Sequence, residues 1–350
     1  MEFIKNIKIE DINICDKADS FLQSAMWGHF KSRFGWQAKA FIIDWETGGE
    51  KALLVLCRRL APGFAMAYIP WGPELPSVFP DDINLKNKAA AELAAALKPF
   101  LPAKTVFIRL DLPYPNVSRP QPPVPSPLLA AINIQPPDTV ILDLELPEKD
   151  ILAAMKSKWR YNIGLAEKHK IEIKHSSSVK YDYADDMEIF YRLLRETAER
   201  DGIAVHSLNY YRTLFEEAGV LRELRLYTAW HEGDALAAVI VLFRGKQATY
   251  LYGASSNVKR NLMAAYALQW RAIQDAKTWG CSDYDFFGIP PDNNPNHPMA
   301  GLYRFKTGFG GRIIHRQGSM DYPYKPVFYA LFSKAERLRK KSMDKKKRQR

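Results

Sequence analysis

Lys306 has the sequence surroundings that best suit a functional cation. It follows Phe305 and precedes Gly308-Phe309-Gly310-Gly311, and glycines let a backbone approach a ligand closely. A lysine held there could bind an anionic group or stabilise negative charge that develops during a reaction. The alternative is a surface lysine on a short helix, because glycine clusters by themselves usually mark turns.

Two further charged residues stand at the ends of predicted elements. Asp111 closes a predicted strand, 105–111, where a carboxylate facing a cleft could accept a proton or hold an ammonium group. The alternative is a salt bridge with Arg109, which lies on the same strand face. Arg200 ends a predicted helix beside Asp201-Gly202, and a cation at that position also stabilises a helix C-terminus.

Three other side chains have one functional and one structural interpretation each. Lys156 and Arg160 are one helical turn apart and could form a basic strip for a polyanion or part of a solvated helix face. Tyr252 lies in a predicted strand and could bond a substrate or pack in the sheet. The residues alone do not choose between these alternatives.

Other common chemistries lack a pattern in this sequence. The seven histidines form no i,i+4 pair, no serine stands in a nucleophile elbow, and Cys15, Cys57 and Cys281 are far apart. We therefore expect no metal, no cofactor and a reducing compartment. The start of the chain lacks a signal-peptide pattern, and the longest apolar run, 235–243, is only of strand length, so we expect a cytoplasmic protein.

Hydrophobic patterning predicts the elements that position these residues. Strands are predicted at 224–230, 235–243, 248–254 and 284–288, with a helix at 262–279 that Gly280 closes. The same order occurs earlier, with strands at 37–45, 51–59, 64–70 and 105–111 and a helix at 85–98. The repeat is one of pattern only, and it predicts two similar α/β domains.

Composition and periodicity predict the connection between the domains and the first elements of the second domain. Nine of the 23 prolines lie in 113–137, which predicts an extended connection that is neither helix nor central strand. A strand is predicted at 139–144 and one continuous helix at 148–170, followed by helices at 184–201 and 208–218. The domains are predicted at 1–147, with 319–335 packing back on it, and at 148–318, before a basic tail at 336–350.

The positive charge is concentrated at the C-terminus. Residues 333–350 hold ten Lys and Arg against two Asp and Glu, so they carry +8 of the net +11. One interpretation is a solvated, partly frayed helix end; the other is an electrostatic handle for nucleic acid or an anionic membrane surface. Base stacking by the tail is not expected, because no aromatic residue follows Phe332.

Nine stretches in order resemble the Fem family of peptidoglycan aminoacyltransferases. They cover most of the chain and are 23–27 with Lys31, 68–73, 108–111, 135–144, 158–168, 197–211, 250–255, 270–285 and 302–311. The resemblance implies an α/β (α+β) fold of two tandem GNAT-like domains, with mixed sheets flanked by helices. No heptad pattern is sustained, so the coiled-coil arm of FemA and FemB types is absent and a compact FemX-like member is favoured.

The resemblance also implies an activity and roles for particular residues. The expected reaction moves an amino acid from aminoacyl-tRNA, as co-substrate, to the stem-peptide amine of UDP-MurNAc-pentapeptide or lipid II. Lys306 would contact precursor phosphate and the reacting ester, and Asp111 would assist the amine. Lys31 and Arg200 would bind precursor phosphates, with Tyr68 and Tyr252 as further substrate contacts, while Lys156 and Arg160 would face the tRNA.

This interpretation places the precursor in a cleft between the domains of a monomer, with the basic tail reaching tRNA or the inner membrane face. Two alternatives remain. An N-acyltransferase that uses acyl-coenzyme A needs a glycine-containing pyrophosphate turn, but 259–264 reads Lys-Arg-Asn-Leu-Met-Ala without the central glycine. A non-catalytic RNA-binding or scaffold protein would depend on the tail and not on Lys306.

Overall fold

A computed structural model of the protein describes residues 2–115, 126–180, 182–218 and 223–348. The chain forms two compact units, the first made of Met1–Pro137 and His315–Arg350 and the second of Asp138–Ile314. The strand at 138–143, which the sequence analysis placed in the first domain, therefore lies in the second unit.

Thirteen strands are present in the described residues. They are β1 (Ile4–Glu10), β2 (Gln37–Trp45), β3 (Glu50–Ala61), β4 (Phe64–Ile69), β5 (Thr105–Pro115), β6 (Leu129–Ala130), β7 (Asp138–Asp143), β8 (Glu172–Ser177), β9 (Glu223–His231), β10 (Asp234–Arg244), β11 (Gln247–Ser255), β12 (Asp283–Asp285) and β13 (Arg312–Pro323).

Nine α-helices accompany them in the same part of the chain. They are α1 (Ala25–Ser32), α2 (Ile83–Leu97), α3 (Glu148–Ala154), α4 (Ser157–Lys168), α5 (Ala184–Asp201), α6 (Leu208–Ala218), α7 (Ala264–Trp279), α8 (Ala300–Thr307) and α9 (Pro326–Arg348).

The first unit has the strand order β1-β2-β3-β4-β5-β13. Its first four strands are antiparallel, whereas β4 and β5 are parallel and are joined across the sheet by α2. The alanine-rich face of α2 is buried, with Ala89, Ala90 and Ala94 fully covered, so this helix packs closely on the strands.

The second unit repeats this arrangement. Its strand order is β7-β12-β11-β10-β9-β8, with β11 and β12 parallel and α7 between them in the chain. Gly280 ends α7 with a left-handed φ of 93°, as the sequence predicts. The predicted α/β fold with a repeated strand-helix-strand pattern is therefore confirmed.

The proline-rich connection differs from the prediction at its start. β5 continues through Pro113 to Pro115, but its pairing with β4 ends at Leu110, so these last residues pair with β13 alone. The prolines are tolerated because the β5–β13 register shifts between the pairs Gly318–Leu112 and Arg316–Pro115, where regular ladder hydrogen bonds are interrupted. Residues 116–125 of the predicted connection lie outside the described residues.

Two further predictions were wrong in detail. The single helix at 148–170 is two helices, α3 and α4, because Met155 and Lys156 have extended ψ angles of 151° and 141°. The strand at 284–288 ends at Asp285, because Phe287 has a left-handed φ of 55° and donates its N–H to the Asp285 side chain. The sequence analysis also missed the strands β1 and β8.

α9 includes residues 336–348 of the predicted basic tail. Within the described residues, no helix is both long enough and apolar enough to cross a bilayer. On the side that faces the first unit, the Tyr329 hydroxyl donates to Asp321 at 3.0 Å, and the Phe332 ring lies 4.8 Å from that of Phe107.

Candidate active site

Lys306 lies inside the second unit. It occupies the last turn of α8 and is only 6% exposed, so it is not the surface lysine of the alternative interpretation. Its Nζ donates to the carbonyl oxygens of Phe286 (2.8 Å), Phe287 (3.3 Å) and Gly288 (2.9 Å). Nζ also lies 4.9 Å from the centroid of the Tyr250 ring. The amine is thus held in one place by three backbone acceptors and an aromatic face.

The turn after β12 directs these carbonyl groups at the amine. Phe287 has a left-handed φ of 55°, and its N–H donates to Asp285 Oδ1 at 2.7 Å. Thr139 also donates its hydroxyl to the same oxygen. Asp285 is fully buried. Its carboxylate therefore fixes the turn that forms the Lys306 site.

Burial lowers the pKa of Lys306 to about 7, and the nearby Asp285 carboxylate opposes that change. A lysine with a pKa near neutrality can exchange a proton at physiological pH, which an ordinary lysine cannot. The three carbonyl acceptors match the three N–H donors of the ammonium form. The three acceptors therefore hold the ammonium form of Lys306 in place, although its pKa lies near neutral pH.

The glycines after Lys306 have a packing role that the sequence analysis did not foresee. A Cβ on Gly308 would lie 2.1 Å from the Trp159 ring, and one on Gly311 would lie 2.5 Å from the carbonyl oxygen of Ile141. The Trp159 Nε1–H donates to the Phe305 carbonyl oxygen at 2.9 Å. These glycines therefore let α8 and its turn pack against α4 and β7, and Trp159 supports the backbone beside Lys306.

Arg200 joins the end of α5 to the end of β11. Its Nη1 donates to the Ser255 carbonyl oxygen at 2.9 Å and to Asn257 Oδ1 at 3.3 Å, and its Nε donates to Asp201 at 2.8 Å. Any anion bound by Arg200 has to share these donors. The side chain is partly exposed, and its Nη2 also donates to Asp201 Oδ2 at 3.2 Å and to Ser255 Oγ at 3.4 Å.

Tyr252 belongs to an aromatic cluster on the same side of the second unit. Its ring meets that of Tyr211 edge-on at 5.0 Å, and its hydroxyl shares a hydrogen bond with Tyr210. Burial raises the pKa of Tyr252 well above 10, so the hydroxyl stays protonated. His206 stacks on Tyr210 at 3.8 Å. The sequence analysis missed His206, whose only signal is its position two residues before α6.

Lys156 and Arg160 are both exposed at the start of α4 but differ in their contacts. Arg160 donates to the carbonyl oxygens of Ala153 (3.1 Å) and Met155, and so satisfies the end of α3. Lys156 Nζ lies 5.7 Å from the Trp159 ring centroid, and its backbone N–H donates to Gly308 at 3.0 Å. The break between α3 and α4 therefore places Lys156 beside the turn that follows Lys306.

In the first unit, Asp111 and Tyr68 meet on neighbouring parallel strands. Asp111 is 2% exposed and accepts hydrogen bonds from the hydroxyl groups of Tyr68 and Ser319 and, at 3.2 Å, from the Gln135 N–H. Burial raises the pKa of Asp111, and these donors oppose the rise. The pKa of Tyr68 is raised well above 10 by burial and by the Asp111 carboxylate.

Arg109 does not pair with Asp111. It forms ion pairs with Asp321 at 2.7 Å and Glu336 at 2.9 Å, which tie β5 to β13 and α9. The alternative interpretation of Asp111 as the salt-bridge partner of Arg109 is therefore wrong, because two other carboxylates occupy the guanidinium.

Lys31 lies in the last turn of α1. Its Nζ is 5.5 Å from the Trp27 ring centroid and 5.8 Å from that of Phe30. Burial, followed by the charge of Arg58, lowers the pKa of Lys31 to about 8. The sequence analysis missed Arg58, and the paired cations form a locally positive surface that suits an anion.

The described residues contain no group of three or more His, Cys, Asp or Glu side chains that could hold a metal ion. Cys15, Cys57 and Cys281 are free thiols and are buried. Burial is the main cause that raises the pKa of each thiol, so these groups remain protonated at neutral pH.

Comparison with known proteins places the chain among acyl-transfer proteins. The sequence profile of the FemAB family matches residues 129–229 and 221–337. The lipid II:glycine glycyltransferase of Staphylococcus saprophyticus is 24% identical over 92% of this chain and 95% of its own length. That of Staphylococcus aureus strain COL is 22% identical, with 90% of each chain covered.

Two solved structures resemble the fold. The crystal structure of FemX superposes with a TM-score of 0.74 and 18% identity, covering 94% of this chain and 100% of FemX. The C-terminal domain of a putative lysylphosphatidylglycerol synthetase from Agrobacterium fabrum gives a TM-score of 0.53 at 11% identity, with 92% and 94% covered. The likeness to FemX agrees with the predicted fold.

Proposed function

The chain belongs to the FemAB family, and on this basis we propose that it is an aminoacyltransferase that extends the stem peptide of a peptidoglycan precursor. The observation that carries the proposal is the match to staphylococcal lipid II:glycine glycyltransferases over nine-tenths of both chains. The buried cation at Lys306 supports it, because acyl transfer creates an oxyanion that such a group can stabilise.

The reaction joins an amine to an activated carboxyl group. The stem-peptide amine attacks the carbonyl carbon of the aminoacyl ester, the new C–N bond forms, the ester C–O bond breaks, and the tRNA 3′-terminal hydroxyl leaves. The amine loses a proton during this process. A lysine-type amine is only about 0.04% free base at pH 7, so a proton acceptor accelerates the reaction.

Lys306 is the proposed cation near the developing oxyanion, where it acts through its charge because its three N–H groups already donate to backbone carbonyl oxygens. Its position is set before the substrate binds, because three carbonyl groups hold Nζ in place. Such preorganisation removes the cost of orienting a charge during the reaction. Asp111 is the proposed proton acceptor, and Tyr68 and Ser319 orient its carboxylate.

Precursor phosphates are the proposed ligands of Lys31, with Arg58 beside it, and of Arg200. Burial, and then the charge of Arg58, lower the pKa of Lys31, and a bound phosphate would offset the repulsion between the two cations. Tyr252 is a proposed contact for the stem peptide. Its hydroxyl donates to Tyr210, which fixes its orientation.

Aminoacyl-tRNA is the proposed donor, with Lys156 and Arg160 facing it. Arg160 already donates to two backbone carbonyl groups, so Lys156 is the more available cation of the pair. We place the reaction in the cytoplasm, at the inner membrane face where a lipid-linked precursor is reached.

A donor-choice assay tests this function. Purified protein is incubated with lipid II or UDP-MurNAc-pentapeptide and with either a mixture of charged tRNAs or acetyl-coenzyme A. We expect transfer from aminoacyl-tRNA only. Transfer from acetyl-coenzyme A alone would establish the other acyl donor, and binding of tRNA without any transfer would favour a non-catalytic RNA-binding protein.

A further inference from the structure

One side of α9, its inner face, packs on the rest of the first unit. Tyr329 donates to Asp321, Phe332 packs on Phe107, and Glu336 forms an ion pair with Arg109 at 2.9 Å. These three residues recur at helical spacing, so they share one side of the helix. Their contacts fix which side of α9 faces outward.

A second apolar stripe occupies the outward side. Val327, Leu331 and Leu338 are 74%, 64% and 59% exposed. At about 100° per residue they fall within about 40° of one another, roughly opposite the inner face. Phe328, also exposed at 45%, is anchored against the Phe64 ring at 5.2 Å. A helix that needed only to pack on the first unit would carry polar residues there.

Basic residues border the outward stripe. Lys334 and Lys341 are exposed and lie along one side of it, and Arg337 follows further round the helix. Residues 333–350 together carry a net charge of +8. An exposed apolar stripe with a basic border is typical of helices that lie in the interface of an anionic membrane.

We propose that the α9 outer face, defined as Val327, Leu331, Lys334, Leu338 and Lys341, docks on an anionic lipid bilayer. The three aliphatic side chains enter the boundary between headgroups and acyl chains, and the lysines contact lipid phosphates. Docking does not depend on the acyl-transfer reaction. It would hold the protein at the surface where a lipid-linked substrate resides.

Charge and side-chain chemistry favour lipid over the other occupants. RNA would use the lysines but would leave Leu331 and Leu338 facing water, since single-stranded RNA binds through stacking on aromatic rings. A second copy would cover the leucines but would bring two strongly basic tails together. An anionic bilayer satisfies both the apolar stripe and the positive charge.

Vesicle co-sedimentation of the full chain tests the proposal. Vesicles of phosphatidylcholine with and without phosphatidylglycerol are compared for the wild type, for a Leu331→Ser/Leu338→Ser variant, and for an Ala330→Ser/Ala335→Ser control. The control changes exposed positions of the same helix that lie outside the stripe. All four positions are exposed, so equal thermal midpoints will show that the variants are folded.

We expect the wild type to bind the phosphatidylglycerol vesicles, the leucine variant to lose more than about tenfold in partitioning, and the alanine control to bind normally. A Lys334→Gln/Lys341→Gln variant should lose binding that depends on phosphatidylglycerol and on low salt. The proposal is overturned if the wild type does not bind, if the leucine variant binds equally, or if only tRNA binding responds to the lysines. A dimer in sedimentation velocity that the leucine variant abolishes would assign the face to a second copy.

Discussion

The ε-amino group of Lys306 in α8 lies 2.8 Å from the carbonyl oxygen of Phe286, the first residue after β12. Two more carbonyl groups of the same turn accept its other hydrogens. This contact joins the residue with the strongest functional signal in the sequence to a backbone turn that Asp285 holds. It gives Lys306 a structural role beside the proposed catalytic one, and variants can separate the two.

Replacing Lys306 with methionine should impair turnover and stability together. The change removes the proposed oxyanion cation, which should lower kcat by about 10²–10³. It also leaves buried carbonyl groups without their donor, at about 1–3 kcal/mol. Aminoacyl-transfer kinetics and thermal unfolding measure the two effects.

Lys277→Met is the matched control for this variant. Lys277 donates to the carbonyl oxygens of Leu144 and Leu146 at 2.6 and 2.8 Å, so its loss also removes a donor from backbone acceptors of the second unit. We expect Lys277→Met to lose stability but to keep its turnover at a temperature where it is folded. Equal loss of turnover in both variants would show that Lys306 has only a structural role.

The stability contributed by Lys306 should increase with pH. Burial lowers its pKa to about 7 in the folded protein, whereas an unfolded lysine titrates at about 10.4. Between these values the unfolded state binds more protons, so folding becomes more favourable as pH rises; below about pH 7 the cost of burying the ammonium is fully present. The thermal midpoint of the wild type relative to Lys306→Met should therefore rise between about pH 6 and about pH 9. A flat difference would show that the pKa is not lowered.

Asp111→Asn should lower kcat by about 10²–10⁴ if its carboxylate accepts the proton of the attacking amine. Ser319→Ala is the control, because it removes one hydrogen bond to the same carboxylate but keeps the base. It should cost about 1–3 kcal/mol of stability and leave most of the turnover. Full activity in folded Asp111→Asn would assign Asp111 a purely structural role at the β4, β5 and β13 strands.

Arg58→Gln and Lys31→Gln should each raise the KM for the precursor by about tenfold, with little change in kcat. Arg59→Gln carries the same loss of charge, but adjacent residues of β3 point to opposite faces of the sheet. It should leave KM nearly unchanged. An equal rise in all three variants would indicate general electrostatic attraction without a phosphate site at Lys31.

The strands of both sheets were predictable where alternation or a long apolar run marks a buried face, as in β2, β10 and β11. β1 and β8 were missed because most of their residues are exposed or half-buried and polar. The break between α3 and α4 was invisible to periodicity, since Leu152, Met155 and Trp159 continue the apolar stripe through it. The break depends on a backbone contact with Gly308, which lies far away in the sequence.

The residues of the candidate site were also only partly predictable from the sequence. Lys306, Asp111 and Tyr68 could be singled out by their neighbours or by the family resemblance, but their partners could not. The acceptors of Lys306 are backbone carbonyl groups, which have no side-chain signature. The carboxylates that pair with Arg109 belong to Asp321 and Glu336, which lie 212 and 227 residues further along the chain. Such pairings are set by tertiary packing, which a single sequence does not reveal.

The mass of the precursor's stem peptide after incubation with isotopically labelled aminoacyl-tRNA tests the central claim most directly. The account predicts a gain equal to one or more labelled aminoacyl residues, attached at a stem-peptide amine and strongly reduced with Lys306→Met. An unmodified stem peptide with folded wild-type protein, under every set of charged tRNAs and with both soluble and lipid-linked precursors, would contradict it.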